Sequence, residues 1–195
     1  MKVGLYMHSD PVTVPVSAPL SEAKRVMDEK GFSLLLVVDE GSTLKGFITK
    51  GALKGVKDWE APLEKACFEA RFAVTPDDTL EKAALIMIDN QLVLLPVVAD
   101  EKLVGVISQS EILRALARAL GVGLEGTRIS LKLPPDSDGK IVYRILDALD
   151  ESDVKLVSLA RGVKADSYQE LIVRVQGISD KELLTQKLDA ILRAE

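Results

Sequence analysis

The chain has one cysteine, one histidine, one tryptophan and one asparagine among 195 residues. With Cys67 alone, no internal disulfide forms and no multi-cysteine metal site is available, which fits a reducing compartment and an expected cytoplasmic location. His8 is the only imidazole, and a lone histidine with no second His, Cys or spaced carboxylate is a poor metal or catalytic group. Phosphate loops of the G-x-G-x-x-G or G-K-[ST] type are missing, and no carboxylate pair stands out. The expectation is a protein that is not an enzyme and carries no resident cofactor or metal. Apolar runs such as "FSLLLVV" stop well short of the roughly 20 residues that span a bilayer, and the N-terminus has no signal-peptide core. The net charge is −5 with no long run of Lys or Arg, which argues against nucleic acid and anionic membrane as partners.

What is present suits a folded, two-domain chain: 47% of residues are apolar and 28% charged, enough to bury a sizeable core. The scarcity of asparagine beside many Glu, Lys and Arg hints at a heat-adapted source. A shift of about 60 residues aligns "VPVSAPLSEAKRVMDEKGFSLLLVV" with "VTPDDTLEKAALIMIDNQLVLLPVV", and one deletion then aligns "LKGFITKGAL" with "LVGVISQSEI". The coincident positions are nearly all apolar or Gly: Val14 with Val74, Leu20 with Leu80, Ala23 with Ala83, Met27 with Met87, Val37 with Val97, Gly46 with Gly105.

Each repeat reads as a short extended piece, a helix, an apolar strand, a tight turn, a second strand and another helix. In the second repeat Asp78 and Glu81 have capping-box spacing, and in the first Pro19 suits the first helical position. Leu80, Ala83, Ala84, Met87 and Ile88 fall on one helical face, as do Ile112, Leu113, Leu116 and Leu120 further on. Gly121 and Gly123 then signal a helix end and a domain boundary. One such repeat buries too little surface alone, so the two are expected to pack face to face.

From Thr127 the period changes. Ile129, Leu131 and Leu133 alternate with polar residues as in a half-buried strand. A helix carrying Ile141, Ile145 and Leu149 follows the turn "PPDSDG". Two strands, "VKLVSLA" and "YQELIVRV", are joined by a Gly-containing hairpin, and a last helix carries Leu184, Leu188 and Ile191. Strand, helix, strand, strand, helix predicts both helices on one face of an antiparallel sheet.

The "PVV" and "GVIS" segments at repeat spacing make the doubled unit resemble a CBS-domain pair (Bateman module), and the tail resembles an ACT domain. The order is similar to that of the acetoin-utilisation protein B family. The resemblance implies an α+β chain: CBS domains at 1–60 and 61–122, then a ferredoxin-like ACT domain at 126–195 lacking its last strand. The strand left at the edge is expected to be covered by a partner subunit, giving a homodimer.

It also implies a regulatory sensor for an adenine nucleotide, namely AMP, ADP, ATP or S-adenosylmethionine. In the family a hydroxyl after the second strand and an acid three residues on contact phosphate and ribose. Those positions are Thr49 and Ala52 in the first repeat and Ser108 and Glu111, with Ser110 between, in the second. Ala52 accepts no hydrogen bond from ribose, so the first cleft departs from the pattern. For the second cleft the analogy offers Leu92, Val93 and Leu94 with Phe72 and Ala73 as an adenine slot, and Arg71 or Arg114 for phosphate. His8 is expected near the rim of the first cleft, and Cys67, equivalent to Met7, in an apolar slot. In the tail, Asp136 and Gly139 match the loop that approaches an amino-acid effector, while Lys155 stands where amino-acid-binding members tend to have Asn. Turn chemistry with Asp138 as helix cap reads the same loop without a ligand.

"SQSE" at 108–111 thus has two readings. It is a capping box whose serine and glutamate satisfy backbone donors of the first helical turn, or it is a phosphate and ribose site, because a helix N-terminus presents the same donors to an anion. An assembly module with empty clefts is the alternative function.

Overall fold

The computed structural model describes residues 1–134 and 139–193. Contacts divide the chain into Met1–Leu113 and Arg114–Glu195, and each unit is described by itself. In the first unit the repeat is realised strand for strand. β1 (Thr13–Pro15) pairs in parallel with β2 (Leu34–Val38), and β2 pairs antiparallel with β3 (Leu44–Thr49). In the second repeat β4 (Leu94–Ala99) and β5 (Lys102–Ser108) pair antiparallel. Val74 bridges Val97 in parallel just as Val14 bridges Val37. Both hairpins carry a register shift at the same place, between Val37 and Val38 and between Val97 and Val98. The second turns through Asp100 and Glu101, both at positive φ, as a two-residue turn matched to strand twist requires.

α1 (Leu20–Lys30) and α2 (Leu80–Asp89) bury the coincident positions: Leu20, Ala23 and Met27 in one, Leu80, Ala83 and Met87 in the other. Each triplet recurs at i, i+3 and i+7, a narrow stripe against a small sheet. Ile88, expected on the buried face, is 68% exposed, since one residue beyond Met87 rotates it by about 100°. The caps also differ from expectation. Pro19 is the N-cap residue of α1, one position before the helix. In α2 the Thr79 hydroxyl accepts from the Lys82 amide at 3.2 Å, while Asp78 is taken by the Thr75 amide at 2.8 Å and the Lys82 ammonium at 2.7 Å. Thr79→Ala is therefore expected to destabilise the protein by about 1 kcal/mol, read from the denaturant midpoint, whereas Glu81→Ala leaves it nearly unchanged.

The repeats part at their last element. After β5 the chain enters α3 (Gln109–Ala119). After β3 it forms only turns through residue 55, not the expected second helix. Gly51 and Gly55, the latter at φ 81°, make this short stretch costly to hold helical. In α3, Ile112 and Ala115 are buried but Leu113 is 70% and Leu120 48% exposed, so the expected stripe is displaced. Gly121, at φ 73°, closes the helix with its amide on Arg118 O at 2.8 Å.

In the second unit, β6 (Thr127–Leu133), β8 (Gln169–Gln176) and β7 (Lys155–Lys164) form an antiparallel sheet in the order β6-β8-β7. Leu131, Leu133, Leu171, Val173 and Val175 form a core with Ile141, Ile145 and Leu149 of α4 (Lys140–Asp150) and Leu184 and Leu188 of α5 (Lys181–Arg193). Among the described residues this is a ferredoxin-like arrangement of three strands, and β6 has a single neighbour. The β7–β8 turn runs over Ala165–Tyr168 and contains no glycine. Gly162 lies instead in an irregular stretch of β7, where a Cβ would meet the Glu170 carboxylate at 2.3 Å.

Candidate functional site

Mid-strand glycines invite close backbone approach, and both repeats have one. A Cβ at Gly46 would stand 2.1 Å from the Phe68 carbonyl oxygen, and one at Gly105 would stand 2.7 Å from that of His8. Phe68 and Phe47 exchange two backbone hydrogen bonds of 2.8 Å; His8 and Val106 do likewise at 2.9 and 3.0 Å. The opening segment of each repeat therefore docks on the second strand of the other. Cys67 and Met7 are equivalent here: Cys67 Sγ lies 2.7 Å and Met7 Sδ 2.8 Å from the glycine Cβ positions they flank. Burial pushes the Cys67 thiol above its ordinary range, which keeps it a thiol.

This crossing relocates His8. Instead of the rim of the first cleft, it reaches the second corner, with Nε2 3.3 Å from Glu111 Oε1. Glu111 Oε2 accepts from the Ser108 amide at 3.0 Å and from the Ser108 hydroxyl. The Ser108 and Ser110 hydroxyl oxygens are 2.7 Å apart. The Glu111 side chain is 14% exposed. Burial alone would raise its carboxyl, but the bonds from Ser108 and the His8 ring outweigh burial and hold it below the usual glutamate range.

The capping box is split between the repeats. At 108–111 the acid arm is made, with Glu111 reaching back to the Ser108 amide, while the serine hydroxyl bonds the carboxylate. In the first repeat only the hydroxyl arm exists: Thr49 Oγ1 accepts from the Ala52 amide at 3.2 Å.

A cleft of about 170 Å³ lies between the repeats, lined by Leu34, Leu36 and Phe47 on one side and Arg71, Phe72, Leu92, Val93 and Leu94 on the other. Ala73 is exposed and not part of this wall. Ser108, Ser110, Glu111 and Thr49 are not part of it either, but the second corner is joined to its lip. Gln109 donates its amide to Val93 O at 3.1 Å and its side-chain amide to Leu92 O at 2.9 Å, and Ser108 pairs with Leu94 across the sheet. Arg71 is exposed and has no carboxylate within ion-pair distance among the described residues.

Comparison with known proteins settles the family. The CBS domain description matches residues 3–56 and 70–118, more than half of the chain. The chain belongs to the CBS-domain family. Among solved structures, the CBS pair is similar to an acetoin utilization protein, AcuB, from Vibrio cholerae (26% identity, 63% of this chain and 94% of that one, TM-score 0.56). It is similar in the same degree to a CBS domain pair/ACT domain protein from Thermotoga maritima (28% identity, 62% and 99% of the two chains, TM-score 0.56). The cytosolic domain of the Mg2+ channel MgtE, solved in complex with ATP, is 25% identical over 58% of this chain and 48% of that one, with TM-score 0.53. Curated relatives are longer proteins. The carnitine transport ATP-binding protein OpuCA of Listeria monocytogenes is 29% identical over 57% of this chain and 28% of its own length. The homoserine O-acetyltransferase of Methanosalsum zhilinae is 30% identical over 54% and 22%. The chain thus spans about a quarter of the length of the curated relatives it matches.

In the ferredoxin-like unit, Gly139 precedes α4 at φ −58°, a conformation open to any residue, and a Cβ there would meet nothing within 4 Å. The loop approach expected of that glycine therefore has no steric mark. Lys155 begins β7, exposed and paired with Gln176. Asp136 and the expected cap Asp138 lie outside the described residues. No helix among the described residues is long and apolar enough to cross a membrane.

Proposed function

We propose that this protein is a non-enzymatic regulatory sensor that binds an adenine nucleotide (AMP, ADP, ATP or S-adenosylmethionine) at its CBS pair. The observation that carries the reading is the bonding of the 108–111 corner to the 92–94 lip. A flat apolar ring in the cleft and a sugar phosphate at the corner then act on one rigid element. Arg71 supplies a positive charge at the cleft wall, and the α3 N-terminus favours phosphate. The complex of the similar MgtE domain with ATP supports the ligand class. A ligand that prefers one arrangement of the two CBS domains shifts the population toward it, which is how a protein without chemistry signals.

We take 1–60, 61–122 and 126–195 as the working modules. The ACT-like module, through Asp136, Gly139 and Lys155 or through the β6 edge, serves a small amino-acid effector or homodimer formation in a cytoplasmic setting.

The experiment is calorimetric titration of the whole chain with the four nucleotides. Submillimolar binding that is lost in Glu111→Ala supports the sensor. A second reading, an assembly module with empty clefts, is favoured by one specific observation: both oxygens of Glu111 are already engaged by Ser108 and His8. Absence of binding to all four nucleotides selects it. Turnover of any nucleotide overturns both readings.

A further inference from the structure

The first CBS domain lacks its second helix, and the space beside α1 is a groove of about 240 Å³ lined by Lys24, Asp28, Lys50, Lys54 and Trp59 over a floor that includes Leu53. Its polar groups are nearly all donors. Asp28 is the one acceptor side chain, and it is already shared between the ammonium groups of Lys24 at 2.5 Å and Lys50 at 3.0 Å. These two contacts hold its carboxyl below the ordinary aspartate range, so it stays an anion that serves the lysines. Lys54 has no carboxylate within ion-pair distance among the described residues, and the half-buried indole of Trp59 donates to no described protein group. Three cations against one anion leave the groove with excess positive charge in a chain whose net charge is −5. A ligand that satisfies it must bring negative charge and several acceptors, and be small enough for a groove of about 240 Å³.

We propose that this groove is a binding site for a phosphorylated small molecule, with the phosphoryl oxygens on Lys24, Lys50 and Lys54 and the ligand body against Trp59. The site is formed within one repeat and is independent of the nucleotide cleft and of the function proposed for it.

Trp59 is the only tryptophan, so its emission reports this site alone. The whole chain is titrated with inorganic pyrophosphate at low ionic strength, followed by Trp59 fluorescence and by calorimetry, with a second arm using ATP in the Glu111→Ala background. The expected result is saturable binding that Lys54→Glu weakens at least about tenfold and Glu111→Ala leaves unchanged. Tighter binding of ATP than pyrophosphate in the second arm supports a ligand body against Trp59; equal or weaker binding overturns that contact. No heat and no change of emission, an affinity indifferent to Lys54→Glu, or loss in Glu111→Ala overturns the site. Lys54 is exposed, and an unchanged melting temperature of Lys54→Glu shows that lost binding is not lost folding.

Discussion

Gly46→Val is expected to destabilise the CBS pair by about 3 kcal/mol or more, the cost of overpacking at a site that cannot yield. The new Cβ would lie 2.1 Å from Phe68 O, a backbone atom that is itself the acceptor for the Phe47 amide at 2.8 Å. Relief requires the 67–68 segment to move away. That breaks both Phe47–Phe68 hydrogen bonds and the ring contact, whose centroids are 5.6 Å apart. Gly105→Val, the equivalent change in the second repeat, is expected to cost less. Its nearest obstacles are His8 O at 2.7 Å and the flexible Met7 thioether at 2.8 Å. Denaturant unfolding of the two variants side by side measures the difference. Midpoints of both variants equal to that of the wild type would show that the crossing segments yield freely and carry no stability.

Glu111→Ala is expected to weaken nucleotide binding by roughly tenfold to a hundredfold, the range for losing a charge-assisted hydrogen bond in a partly buried site. Glu111→Gln separates shape from charge. It keeps an acceptor for the Ser108 amide and loses the negative charge that faces the His8 ring. An intermediate affinity for Gln assigns the difference to the charge, while wild-type affinity in both variants removes the corner from the site.

The same pair gives a pH signature. The carboxyl of Glu111 lies below its unfolded value of 4.5, so the folded state binds that proton more weakly than the unfolded one. The resulting stability is fully present above about pH 4.5 and is lost as pH falls through the folded value. The melting-temperature difference between wild type and Glu111→Gln is therefore expected to shrink as pH falls from about 4.5 toward 3. A difference that grows on acidification would contradict the bonding seen at this corner.

The comparison of His8 with Val97 shows what is legible before folding and what is not. The apolar run "LLPVV" and the repeat partner Val37 place Val97 in a covered strand, and both valines are fully buried. His8 has no periodic neighbours to place it. Its position follows from a crossing between segments far apart in the chain, and the only local trace is the pair of glycines inside β3 and β5. The lost helix at 50–55 had a local signal in Gly51 and Gly55, but the likeness of "LKGFITKGAL" to "LVGVISQSEI" pointed the other way. The Glu111 corner is visible as a motif; whether its carboxylate is free or engaged is not, because one of its partners, His8, comes from the other repeat.

By itself the sequence determined the doubling, the buried repeat-coincident positions of α1 and α2, the alternation in β6 and the ferredoxin-like order of the tail. All of these rest on short-range periodicity, which the backbone geometry of helices and strands enforces. Only the tertiary structure decided that the opening segments exchange, that His8 meets Glu111, and that residues 50–55 form turns where the second repeat has a helix. Those outcomes depend on which surfaces meet, and burial and hydrogen bonding between distant segments leave little imprint on the local pattern.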